Sequence, residues 1–231
     1  MELIYQGIKE AFLLILKGDS EIIGITILSI IVSGSATLIS MFIGVPLGAV
    51  IGLSRFRLKK FIFSLINTGM GLPPVVVGLF VVLFLWRSGP LGFINLLYTP
   101  YAMVIAQVII ATPIVMGLSA AAIQQLPEKL KLQTLTLGAN YCQMLWIMIK
   151  EARLPILAAI MAGFGGVISE VGAVMMVGGN IKGQTRVLTT ATVMETRMGH
   201  LEIAIALGII LLVIAFVINY ILTRIQQSSK S

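Results

Sequence analysis

The chain has 231 residues, of which 58% are hydrophobic and 11% charged, with a mean hydropathy of +1.05. A soluble domain carries about 25% charged residues, so this chain lacks the polar surface to coat a globule. That excludes a soluble enzyme domain, a disordered tail and a nucleic-acid module, and its net charge of +7 comes from cations set between long apolar runs, the pattern of a membrane protein.

The first element spans residues 1–17. Leu3, Ile4, Ile8, Ala11, Phe12 and Ile15 recur at helical spacing, with Glu2, Gln6, Lys9 and Glu10 between them. This predicts an amphipathic helix lying in the outer interface. A signal peptide fits less well, because no basic start or small-residue cleavage site stands out.

Five apolar stretches follow: Ile22–Leu53, Phe61–Trp86, Tyr101–Ile123, Leu154–Gly178 and Ile203–Leu222. Each reaches the roughly 20 residues that a helix needs to cross a bilayer core. None contains Lys or Arg, and the only acid inside them is Glu170. Continuous rather than alternating hydrophobicity predicts helices and not barrel strands.

Cations are enriched on cytoplasmic loops. Arg55, Arg57, Lys59 and Lys60 follow the first span, Lys129, Lys131, Lys150 and Arg153 follow the third, and Arg224 and Lys230 lie in the tail. The opposite side holds fewer: Lys9, Lys17, Arg87, Lys182, Arg186 and Arg197. The N-terminus is therefore expected outside and the C-terminus inside.

Small residues punctuate the spans. Ala36, Ser40, Gly44, Gly48 and Gly52 step by four along the first span, a pattern that lets helix backbones approach closely. Ala158, Ala162, Gly166 and Glu170 make a second such stripe, predicted to set the carboxylate on the small-residue face. Pro46, Pro73, Pro74 and Pro113 each remove a backbone donor and are expected to kink their helices. Pro73-Pro74 follows Gly69-Met70-Gly71, so the second span is expected to break near its middle. Broken helices survive in a membrane only where protein or water covers the freed backbone, which makes Pro73 and Pro74 candidates for a pathway.

The stretch from Gln124 to Arg153 is longer than a turn between spans requires. Leu126-Pro127-Glu128-Lys129 reads as a helix start. Two apolar helical patterns then flank Gly138, one carrying Leu130, Leu132, Leu135 and Leu137 and the other Tyr141, Met144, Leu145 and Trp146. Exposed apolar and aromatic side chains on a helix–glycine–helix predict a partner groove.

This hairpin resembles the coupling loop of ABC importer permeases, in which a motif E-A-A-x-x-x-G precedes I-x-L-P. Leu137-Gly138-Ala139 matches the glycine region and Leu154-Pro155 the closing pair. Leu132 stands where the family has an acid, and Gln133 and Thr134 replace its two alanines. The whole chain is similar to the tungstate-type branch, related to molybdate permeases. The matching strings are Gly71-Leu72-Pro73-Pro74-Val75-Val76-Val77-Gly78, Arg87-Ser88-Gly89-Pro90-Leu91-Gly92 and Ile168-Ser169-Glu170-Val171-Gly172-Ala173-Val174-Met175-Met176-Val177-Gly178-Gly179-Asn180.

The resemblance implies an all-α integral membrane protein of the type I ABC importer permease fold. It would have about five transmembrane helices, the N-terminal amphipathic helix and a cytoplasmic coupling helix, all in one domain of a prokaryotic inner membrane. It implies import of an oxyanion, tungstate or molybdate, delivered by an extracytoplasmic binding protein. Leu135, Leu137, Gly138, Ala139, Asn140 and Tyr141 would meet a separate ATPase.

No G-x-x-x-x-G-K-[ST] loop occurs; the nearest run, Gly179 to Thr185, lacks the lysine-hydroxyl ending. ATP and Mg are therefore expected in the partner ATPase, and no cofactor in this chain. Cys142 and His200 stand alone, without metal-ligand spacing, and are read as incidental. Five spans without an internal repeat make too small a bundle to enclose a path, so a homodimer is expected, with the path on its two-fold axis.

Glu170 is a functional-site candidate because acids are costly inside a span. Since a carboxylate repels an anion, a structural or gate-stabilising role is favoured over substrate contact, with hydroxyls, broken-helix amides or Arg186 as candidate partners. Ser169 and Gly172 join it as gate candidates. Lys182 and Arg186, in a Gly- and Thr-rich outer loop over Gly178–Glu202, are candidates for an oxyanion or an acidic partner. A self-contained secondary transporter or channel would need inverted repeats or intramembrane ion ligands. An intramembrane enzyme would need paired acids, a Ser/His pair or a metal site, and the spans offer none.

Overall fold

The structure is a computed structural model that describes residues 5, 7–9, 13, 19–54 and 56–228. Among them every regular element is a helix: α1 Ser20–Leu53, α2 Lys59–Met70, α3 Pro74–Leu85, a 3-10 turn Gly92–Ile94, α4 Pro100–Gln124, α5 Glu128–Thr136, α6 Tyr141–Glu151, α7 Arg153–Ile168, α8 Gly172–Gly178, α9 Leu188–Met198 and α10 Leu201–Ser228. Most of the expected helix 1–17 lies outside the described residues, as do Arg55 and Lys230. Tyr5, Gly7, Ile8, Lys9 and Leu13 are helical, and buried Gly7 sits against Ile205 of α10.

Three helices, α1, α4 and α10, are each long and apolar enough to cross a bilayer. α1 begins where the Asp19 carboxylate accepts hydrogen bonds from the amides of Glu21 (2.8 Å) and Ile22 (3.2 Å). Its length of 34 residues corresponds to about 51 Å at about 1.5 Å per residue. The small-residue stripe of α1 is buried against α4. A Cβ on Gly44, Gly48 or Gly52 would press on the backbone of Met116 or Ala120, so glycine is what lets the two helices touch. Ser40 and Thr112 hydroxyls, 3.2 Å apart, join the same seam.

Pro46 and Pro113 lie inside uninterrupted helices, whereas Pro73 ends one. α2 stops at Met70, Pro73 adopts an extended conformation, and α3 restarts at Pro74 with its axis turned by 95°. Two adjacent prolines remove two consecutive donors and force Leu72 out of helical geometry; a lone proline leaves the neighbouring turns intact.

The fourth stretch is also broken, against the expected continuous span. α7 ends at Ile168 and a separate seven-residue α8 begins at Gly172. The Ser169 hydroxyl donates back to the carbonyls of Gly165 (2.8 Å) and Gly166 (3.3 Å), competing with the helical ladder as short hydroxyl side chains do. The expected small-residue face of α7 is also corrected: Ala158 and Ala162 are exposed, and Ile156, Ala159, Gly163 and Val167 face the bundle.

Three apolar clusters hold the fold. One gathers Val32, Val77, Val81, Met103, Val167 and Val174 where α3, α4 and α8 meet α1. A second joins the α5–α6 hairpin to the bundle through Val45, Ala49, Val115, Met144, Met148 and Ile156. The third fixes α9 and α10 to α1 through Ile25, Leu188, Ala191, Leu207 and Ile210. Leu188 is tethered further by its amide, which donates to the Ser29 hydroxyl at 2.9 Å.

Candidate functional site

The residues from 124 to 153 form the helical hairpin that the spacing around Gly138 predicts. α5 and α6 meet at Gly138, whose φ of +81° is the left-handed conformation that glycine adopts without strain. The Gly138 and Ala139 amides close the end of α5 by donating to the carbonyls of Leu135 and Thr134. Asn140 then opens α6 with a reciprocal cap: its side chain accepts from the Gln143 amide and the Gln143 side chain accepts from the Asn140 amide, both at 2.9 Å.

The tip so formed is apolar and uncovered. Leu137 is 86% exposed, and Leu132, Leu135 and Tyr141 are exposed beside it. The other face of the hairpin is anchored. Met144 and Met148 are buried under α1, where each contributes about 1.5–3 kcal/mol relative to leaving it in water. Lys131 donates to the Leu53 carbonyl at 3.1 Å, and the Tyr141 and Ser54 hydroxyls lie 3.5 Å apart. The arrangement presents a greasy knuckle on a firm base.

The second candidate region is the junction of the two broken stretches. A Cβ on Gly172 would overlap Val75, and one on Gly78 would overlap Ala173, so α3 and α8 pack backbone against backbone just beyond Pro73-Pro74. Glu170 lies half-buried in the Ser169–Val171 break. Its Oε1 accepts from the Ala173 amide at 3.0 Å, satisfying one of the open donors of α8, while its own carbonyl accepts from the Thr189 hydroxyl at 3.0 Å. Ser169 is exposed. The turn after Pro73-Pro74 thus meets Gly172, at the helix start that Glu170 caps, and Arg186 pairs with Glu21 instead.

Sequence reasoning missed Gln107. It is buried in α4, and its Nε2 donates at 3.0 Å to the Val167 carbonyl, which also accepts from the Glu170 amide at 3.2 Å where α7 ends. The signal was present, since Gln107 is the one carboxamide within an otherwise apolar span. With Ser29, Ser33, Glu170 and Thr189 it lines a cavity of about 10 Å³ beside the break.

Lys182 and Arg186 are paired. Glu21 receives Lys182 at 2.6 Å and Arg186 at 3.3 Å, so one carboxylate at the start of α1 answers both. The segment expected to be a loop from Gly178 to Glu202 is instead a tight turn followed by the 11-residue α9. Thr185 closes the turn by accepting from the Ile181 amide and donating to the Gly178 carbonyl. His200 is 2.8 Å from Glu195, and Cys142 is exposed. Among the described residues no three of His, Cys, Asp and Glu are grouped to hold a metal ion.

Comparison with known proteins accounts for this geometry. Residues 44–231 match the family model of the binding-protein-dependent transport system inner membrane component. A tungstate uptake system permease protein of Peptoclostridium acidaminophilum is 41% identical over 98% of this chain and 100% of its own length. A probable anion ABC transporter permease protein of Haloferax volcanii is 41% identical over 89% of this chain and 91% of its own. A tungstate uptake system permease protein of Campylobacter jejuni is 33% identical over 99% and 95%. The crystal structure of an amino acid ABC transporter covers 94% of this chain and 98% of its own at 20% identity with a TM-score of 0.68, which shows the shared fold. The chain therefore belongs to the binding-protein-dependent inner membrane components, the permease subunits of ABC importers, which are transport components rather than enzymes.

Proposed function

We propose that the chain forms the membrane path of an ATP-driven importer for tungstate. The observation that carries the substrate is the near full-length relationship at 41% identity to a tungstate uptake permease; molybdate, a tetrahedral oxyanion of the same charge, is its natural competitor. The protein works as a homodimer in the inner membrane, N-terminus outside and C-terminus inside. A cytoplasmic ATPase receives the Leu135–Tyr141 tip of each copy, and ATP and Mg act there. An extracytoplasmic binding protein delivers the anion to the opposite face.

Exposed Leu132, Leu135, Leu137 and Tyr141 around a left-handed Gly138 support the coupling role, because a cluster of uncovered large apolar side chains marks an interaction surface. The exposed small residues Ala158 and Ala162, continuing to exposed Ser169 and half-buried Glu170, support a path along that face of α7. Pro73, Pro74 and Gly172 belong to the same gate. Glu170 serves it by capping α8, not by touching the anion. Lys182 and Arg186, tied to Glu21, brace the outer surface against which the binding protein docks.

The test is reconstitution of the chain in liposomes with its ATPase and binding protein. Tungstate should raise ATP hydrolysis and accumulate inside only when ATP is supplied. Solute movement without nucleotide would instead favour a self-contained secondary transporter.

A further inference from the structure

At the corner where α6 turns into α7, an apolar groove of about 360 Å³ opens between those helices and the end of α10. Trp146, Ile156, Ile160 and Ile225 form its walls, and Lys150 and Arg153 stand among them. The groove is held open from one side by Gln226, whose Nε2 donates to the Leu154 carbonyl at 3.0 Å and so fixes α10 against the start of α7. Trp146 is 68% exposed, on a different turn of α6 from the Leu137–Tyr141 tip. The 74° turn between α6 and α7 gives the groove its concave shape.

We propose that this groove is a binding site for an anionic phospholipid. One acyl chain lies along Ile156, Ile160 and Ile225, and the phosphate sits between Lys150 and Arg153. The charge pattern selects this occupant. Two cations three residues apart border an otherwise apolar trough, and among the described residues no acid lines it, the complement of a lipid with a hydrocarbon tail and an anionic head. A zwitterionic lipid offers the same tail but no net charge. A soluble protein segment would leave the trough facing the hydrocarbon region that α7 and α10 border. Trp146 is suited to the headgroup level, where amphipathic rings collect. The site rests on the reading of α7 and α10 as membrane-embedded, and not on which leaflet is inner.

The test uses the full chain with Trp86 replaced by phenylalanine, which leaves Trp146 as its single tryptophan. It is reconstituted in phosphatidylcholine vesicles containing a small fraction of dibrominated phosphatidylglycerol, present in both leaflets. Bromine quenches a tryptophan that its lipid touches. Quenching should exceed that from the same fraction of dibrominated phosphatidylcholine, and K150Q and R153Q should each lower the relative affinity by about five-fold. Lys150→Arg should keep the preference. Leu157→Trp in a chain with both Trp86 and Trp146 replaced by phenylalanine moves the single probe onto the groove wall and should report the same selectivity, guarding against a variant that misfolds. Equal quenching by both lipids overturns the proposal, as does a preference unchanged in K150Q and R153Q. Release of the lipid by excess inorganic phosphate, or a Trp146 shielded from both lipids by a second copy of the chain, also overturns it.

Discussion

The Lys131 ammonium of α5 donates to the carbonyl of Leu53, the last residue of α1, at 3.1 Å. Lys59 holds the neighbouring carbonyls of Gly52 and Ser54, both at 2.8 Å. The C-terminal end of the longest helix, where the carbonyl dipoles concentrate negative charge, is thus clasped from both sides, once by the α5–α6 hairpin itself. Lys131→Met should loosen the hairpin by about 1–2 kcal/mol. The expected outcome is normal insertion with less uptake per ATP hydrolysed, read by assaying both in the same liposomes. An unchanged ratio would show that the clasp does not transmit force.

Gly138 tests the tip separately. No neighbour lies within 4 Å of where its Cβ would stand, so the penalty of a side chain there is backbone strain and not collision. Gly138→Ala should cost about 1–2 kcal/mol, Gly138→Asn less, and Gly138→Val most. Capture of the ATPase on the immobilised permease should fall in that order, while the amount of permease in the membrane stays constant. Equal capture by all three variants would remove the left-handed turn from the docking account.

Glu170 can be dissected by keeping or removing its acceptor. Glu170→Gln retains an oxygen for the Ala173 amide, whereas Glu170→Ala leaves that donor open, a loss of about 1 kcal/mol. Uptake by the Gln variant should approach that of the native chain and uptake by the Ala variant should drop. A Gln variant as poor as the Ala one would mean that charge is used.

The outer ion pairs are unequal. Lys182 is 68% exposed and Arg186 only 15%. Lys182→Ala should change thermal stability in detergent by no more than about 0.5 kcal/mol. Glu21→Leu, which strands the largely buried guanidinium, should destabilise by about 3 kcal/mol. Similar effects from both substitutions would contradict the assignment of Arg186 as the structural partner.

Packing between α1 and α4 predicts a contrast within one helix. A methyl at Gly48 would run into the Met116 carbonyl, while Gly24 has open space around it. Gly48→Ala should lower the melting temperature, by an amount equivalent to about 1–3 kcal/mol, and Gly24→Ala should leave it close to native. Both are read by thermal unfolding in the same detergent.

What was legible in the chain was whatever depends on local chemistry. The helix–glycine–helix hairpin followed from Gly138 between two apolar patterns, and the break at Pro73 from two missing donors in a row. The α7–α8 break was not legible in the same way. Ser169 and Glu170 continue an apolar stretch whose one proline, Pro155, lies at its far end, and the break shows only when the Ser169 hydroxyl is seen bonding backwards and the Glu170 carboxylate capping forwards. The burial of α7 was misread for a related reason. Small residues at steps of four on Ala158 and Ala162 suggested contact, but the neighbouring face with Ala159 and Gly163 meets α4. Pairings across the fold, such as Glu21 with Arg186 or Gln107 with Val167, join residues too far apart in sequence for spacing to reveal.

The shortness of α8 has its own consequence. A helix of seven residues cannot sustain itself on its internal ladder, since isolated helices shorter than about 12–15 residues are marginal. It stands because its neighbours hold it: Glu170 supports one end, the left-handed Gly179 finishes the other and the Gly78 backbone gives it a seat. Its inward face, Ala173, Val174 and Val177, is fully buried, so its form is set by packing and not by its own ladder. What α8 is, its surroundings make it, and a shift of α3 would reach it directly across the Gly78–Ala173 contact.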